Sequence, residues 1–155
     1  MSVSRSIKIR VVTNHKTLSD LIRDFTNDFW TLKDQNGKFS SIAVNDLDDF
    51  DYKVFYDVEE VYKILDNRER SNKLNAITFC DREYFECNIL LIYPLENKNS
   101  GYAKHYELHI TPGIGKRIIG SDRYTDYGYY LNNTLPKLKE IGCYVCEVEC
   151  QDFDS

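Results

Sequence analysis

A chain of 155 residues that is 42% hydrophobic and 14% aromatic can bury one core without disulfide or metal staples, which excludes a disordered chain. No apolar run approaches the ~20 residues of a membrane helix, and Lys8 and Arg10 interrupt the only N-terminal stretch that a signal peptide could use, so a cytoplasmic protein with no membrane partner is expected. A net charge of −5 argues against a nucleic-acid partner, because phosphate binders gain affinity from cations that release counterions.

In chain order, Ile7 to Val12 alternates Ile and Val with Lys and Arg, the period of a half-buried strand. Thr17 is placed to cap a helix with Asp20 three residues on. Leu18, Leu21, Ile22, Phe25 and Phe29 then recur at three- and four-residue steps on one face. Asn36-Gly37 marks a turn, and Phe39 to Val44 reads as a short strand. Asp57 is placed to cap a second helix with the core stripe Val58, Val61, Tyr62 and Leu65, and Glu59 and Glu60 fall in its first turn, where the dipole favours negative charge. After the polar stretch Asp66 to Lys73 come three β-type runs, Leu74 to Cys80, Tyr84 to Tyr93 and Tyr106 to Thr111. Asp81-Arg82-Glu83 joins the first two as a hairpin, and Pro94 to Ala103 is a longer polar connection. Thr134 is placed to cap a short helix through Leu135, Leu138 and Ile141 with Pro136 in its first turn. Gly142 ends it before a final strand, Cys143 to Cys150, and Gln151 to Ser155 form a polar tail. This irregular alternation predicts a single α+β domain over residues 1–155, mainly an antiparallel sheet of about five to six strands with two to three helices.

Five cysteines is an odd count, read as reduced thiols packed in a core. Cys143 and Cys146 fall on opposite faces of a strand, and Cys80 and Cys87 are too far apart in sequence to complete a zinc site. His105, Glu107 and His109 share one face of a strand whose other face carries Tyr106, Leu108 and Ile110, the pattern of an exposed sheet surface. Thr111 to Arg117 lacks the first glycine of a phosphate loop, and the acidic stretch has Phe50 where a calcium loop needs oxygen. No metal and no cofactor is expected.

The tripeptides His15-Lys16-Thr17 and His109-Ile110-Thr111 resemble the paired motifs of two-histidine phosphoesterases, which act on cyclic or 2′-5′ phosphodiesters. That resemblance implies His15 and His109 as base and acid, with Thr17 and Thr111 holding phosphate oxygens.

A different feature dominates the charge map. Residues 45 to 60 hold seven carboxylates against Lys53 alone, a net of −6 in a chain of −5. Asp46, Asp48, Asp49, Asp51, Asp57, Glu59 and Glu60 are threaded with Phe50, Tyr52, Phe55 and Tyr56. Such a segment is either a solvated loop or a surface that attracts a cationic partner and holds it with aromatic area. On the first helix Asp20, Asp24 and Asp28 fall four residues apart, where like charges cost a few tenths of a kcal/mol per pair, so folding alone does not ask for them. Tyr124, Tyr127, Tyr129 and Tyr130 crowd one stretch beside Arg123, and read equally as core packing or as interface residues.

This profile resembles the immunity proteins of bacterial polymorphic toxin systems, including contact-dependent growth inhibition. The likeness rests on Asn45 to Glu60 and on Asp20, Asp24 and Asp28. It implies a non-enzymatic inhibitor of a cognate, cationic nuclease toxin domain, with carboxylates standing in for nucleic-acid phosphates. The expected partner-binding residues are Asp20, Asp24, Asp28, Asp46, Asp48, Asp49, Asp51, Tyr52, Asp57, Glu59, Glu60, Tyr124 and Tyr127. The sequence assigns no oligomeric state.

Overall fold

The computed structural model describes residues 3–42, 52–83, 86–96, 101–112 and 116–154. Strand β1 (Val3–Thr13) buries Ile7, Ile9 and Val11 on one face and turns Lys8 and Arg10 to the other, as its alternation requires. Helix α1 (Leu18–Phe25) starts where expected: the Thr17 hydroxyl accepts the Asp20 amide at 3.2 Å. Leu18, Leu21, Ile22 and Phe25 are buried, contributing about 6–12 kcal/mol of gross apolar transfer. The helix stops at Phe25, and the Thr26 hydroxyl donates back to the Ile22 carbonyl at 2.6 Å. Phe29 and Asp28 therefore belong to the following turn rather than to the helix.

Strands β2 (Trp30–Thr31), β3 (Phe39–Ile42) and β4 (Tyr52–Phe55) come next, followed by helix α2 (Val58–Arg70), capped by the Asp57 carboxylate on the Glu59 amide at 3.0 Å. Its buried residues include Val61, Tyr62 and Leu65 of the expected stripe, with Ile64 added and Val58 only partly covered. The polar stretch after Leu65 stays helical instead of ending there. Asp66 accepts the Ser19 amide at 3.0 Å and the Ser19 hydroxyl at 2.7 Å, and Glu69 accepts the Leu18 amide at 3.1 Å. The acids of one helix thus satisfy the orphan amides at the start of its neighbour.

Strands β5 (Asn75–Asp81), β6 (Cys87–Pro94) and β7 (Lys104–Pro112) form the antiparallel centre that the three β-type runs predicted. A small hairpin of β8 (Arg117–Ile118) and β9 (Ser121–Thr125) precedes helix α3 (Tyr127–Glu140) and the last strand, β10 (Tyr144–Asp154). The start of α3 and the end of β10 correct the sequence reading. Thr134 is no cap but a fully buried residue in mid-helix, and the cap is Asp126, whose carboxylate accepts the Tyr129 amide at 3.3 Å. Gly142, at φ 93°, ends the helix as expected: the Cys143 amide reaches back to the Leu138 carbonyl at 2.9 Å and the Gly142 amide to that of Lys139 at 3.1 Å. Residues 151 to 154 are not a tail but strand, because β1 begins at Val3 and offers partners as far as Asp154.

Among the described residues the main sheet runs β10-β1-β7-β6-β5-β3-β4, with β2 also pairing β5, for eight strands in all. The five long strands at β10 to β5 and the three helices make the expected α+β fold. One core gathers Ile7, Ile9, Phe79 and Leu108 of the sheet with Leu21, Leu65 and Leu138 of the three helices. The other sheet face carries a charge ladder in which Arg10 meets Glu107 and Glu147, each at 3.3 Å. Cys80 and Cys143 are buried as a core reading requires, whereas Cys87 and Cys146 are exposed. No described helix is long and apolar enough to cross a membrane.

Candidate protein-binding face

Helices α1 and α2 lie side by side, and their contacts fix where the acids stand. Ser19 and Arg23 face α2, with Asp20 beside Arg23 on the neighbouring flank of α1, while Asp24 turns to His15. Arg23 sits between the two acidic elements, 3.6 Å from Asp20 and 3.9 Å from Glu59, with its guanidinium 4.7 Å from the centre of the Tyr62 ring. The side chains of these ion pairs are about half exposed, so each pair adds at most about 1 kcal/mol and the carboxylates still face water. Among the described residues no cation pairs with Asp28, Asp57 or Glu60.

Strand β4 leads directly into this acidic helix start and leaves apolar surface in water. Tyr56 is 76% exposed and Val54 54% exposed, while Phe55 between them packs on the core. Lys38 stands 5.7 Å from the centre of the Tyr56 ring. Tyr56, Asp57, Glu59 and Glu60 thus form a continuous aromatic and acidic edge. Asp46, Asp48, Asp49 and Asp51 lie outside the described residues, and for Tyr52 only the backbone, paired with Ile42, is described. The sequence reading chose Tyr52 from this segment. Alternation around the core residue Phe55 turns Val54 and Tyr56 outward, and both are exposed, so they belong among the candidate contacts as well.

Tyr124 and Tyr127 are not brought to that edge. Both stand by β10, six strands from β4 in sheet order, a separation of about 28 Å at ordinary strand spacing. The Tyr127 hydroxyl donates to Asp152 at 2.8 Å, and burial with that carboxylate beside it pushes the phenol up. Tyr130 is buried and stacks on Trp30 with ring centres 6.5 Å apart. Only Tyr124 of this group is substantially exposed, at 49%.

The two histidine motifs are also kept apart. Thr13, at the core-facing end of β1, pairs with Lys104, while His109 pairs with Lys8, five register steps or about 16 Å along the strand. His15 turns to the helix side, where its Nε2 lies 2.8 Å from Asp24 and its Nδ1 hydrogen-bonds the Thr13 hydroxyl. That oxygen also accepts the His15 amide at 3.2 Å, so the arrangement suits the Nε2–H tautomer, with Thr13 donating to Nδ1. His109 is on the opposite face, 2.8 Å from Glu107, with its ring 4.6 Å from that of Tyr93. The hydrogen bond from His109, aided by Arg10, holds the Glu107 carboxyl below its usual value against the opposing effect of burial. Thr17 is spent as a cap, and Thr111 is exposed beside Ile89. A single phosphodiester could not touch both imidazoles. The Thr13–His15–Asp24 brace was missed in the sequence because its members come from a strand end, a loop and a helix. It also diverts Asp24 from the stripe and leaves that carboxylate paired. No family model, curated protein or solved structure matches this chain.

Proposed function

We propose that the chain is a cytoplasmic immunity protein that binds and neutralises a cationic bacterial toxin domain, a nuclease being the best fit to the charge. The observation that carries this reading is the edge formed by Val54, Tyr56, Asp57, Glu59 and Glu60, where a large aromatic ring remains in water beside three carboxylates. A cationic partner would cover Tyr56 and Val54 and meet the carboxylates that Arg23 leaves unneutralised. The sequence adds four more acids immediately before Tyr52. Acidic side chains would occupy the subsites that a nuclease offers to phosphates, and long-range attraction would speed capture.

The test is a toxin domain encoded next to this chain. Cells producing that domain are expected to survive when the chain is co-produced, and the purified pair to bind with nanomolar or tighter affinity. His15→Ala and His109→Ala should both protect. Failure of the pair to associate at micromolar concentration would remove the proposal.

A further inference from the structure

Outside the acidic face, the best-defined reactive group is a thiol pair on the sheet face away from the helices. Cys80 of β5 and Cys87 of β6 are direct cross-strand partners, with Sγ atoms 2.6 Å apart. The neighbouring Asp81 amide donates to the Glu86 carbonyl at 3.3 Å, which makes that pair the hydrogen-bonded one and leaves Cys80 and Cys87 at the closer, non-hydrogen-bonded site. Cα atoms at such a site approach to about 4.5 Å, inside the range a disulfide spans. Cys87 is exposed and Cys80 is buried, so one sulfur is open to a reagent and the other waits behind it. Beside them lies a cavity of about 380 Å³ lined by Thr31, Lys33, Asp34 and Arg82, and Thr31 is the partner of Cys80 on β2. Two of the four lining side chains are cationic and one, Asp34, is anionic, which leaves the lining a net positive charge of one.

We propose that Cys80 and Cys87 form an oxidisable dithiol that reacts with small anionic disulfides, which Lys33 and Arg82 draw toward the exposed sulfur. The Cys87 thiolate attacks one sulfur of the reagent, expelling one thiol and leaving a mixed disulfide on Cys87. Cys80 then gives its proton to water and attacks the Cys87 sulfur, expelling the second thiol. The reagent gains two electrons and the pair loses two, with one S–S bond broken and one formed. Burial, with the Cys87 sulfur beside it, pushes the Cys80 thiol up, which fits Cys80 as the resolving group. The same property makes it a poor leaving group, so the disulfide should be reduced slowly.

Glutathione disulfide is the probe, applied to the full chain and followed by alkylation and peptide mass mapping. The peptide holding both residues is expected to lose two hydrogens and to resist alkylation until dithiothreitol is added. The unfolding midpoint should rise by roughly 5–10 °C on oxidation and return on reduction. Cys80→Ser should trap a lasting glutathione adduct on Cys87, and Cys87→Ser should leave Cys80 unmodified. A wild-type adduct on Cys87 that never transfers to Cys80, or full alkylation of both thiols after exposure, would overturn the proposal.

Discussion

Tyr56→Ala is expected to weaken binding of the cationic toxin domain by at least about 30-fold, corresponding to the ~2 kcal/mol typical of an aromatic anchor at the centre of an interface. The ring is 76% exposed in the unbound chain, so its removal leaves the fold nearly untouched. Thermal unfolding of the variant should match that of the parent, whereas calorimetric titration should show the affinity loss, most of it in the dissociation rate. Tyr56→Phe should retain most of the affinity if ring area is what matters. An unchanged affinity in Tyr56→Ala would place the contact elsewhere on the molecule.

Asp152→Ala is expected to cost about 2–4 kcal/mol of stability, read as a lower denaturant midpoint with an unchanged slope. Asp152 accepts the Thr125 amide at 3.0 Å, the Thr125 hydroxyl at 2.8 Å and the Tyr127 hydroxyl at 2.8 Å. Thr125 is 2% exposed, so its donors would be left unpaired away from water. The carboxylate thereby ties the end of β10 to β9 and to the first turn of α3. Burial would raise its pKa, but the Thr125 and Tyr127 hydrogen bonds and the nearby Arg117 prevail and lower it. Because the folded value is depressed, the added stability is present above the unfolded value near pH 4 and is lost as pH falls through the folded one. The gap between parent and variant should therefore be full at neutral pH and narrow in acid.

Capping chemistry and apolar spacing made α1, α2 and the long strands legible, because Thr17, Asp57 and the alternation around Ile7 act through neighbours in sequence. The start of α3 was not legible for the opposite reason. Gly128, Asn132, Asn133 and Pro136 are poor helix residues, and the helix is held by Tyr130, Thr134 and Leu138, buried four residues apart against a core that sequence alone does not show. The strand at 151 to 154 depended likewise on a distant partner, the early residues of β1. At the candidate site, the adjacency of the α1 and α2 acids came from Ser19, Asp66, Arg23 and Glu59, contacts spanning tens of residues. The aromatic clusters split for similar reasons, Tyr56 outward at an edge and Tyr130 inward against Trp30.

The most direct measurement is the association rate of the chain with its toxin domain as ionic strength rises, compared between the parent and a variant carrying Asp57→Asn, Glu59→Gln and Glu60→Gln. If the acidic edge captures a cationic partner, the parent rate should fall by at least about tenfold between low and physiological-to-high salt, and the variant should start lower with a flatter dependence. Equal rates and equal salt dependence for the two proteins would contradict an electrostatic docking role for this edge.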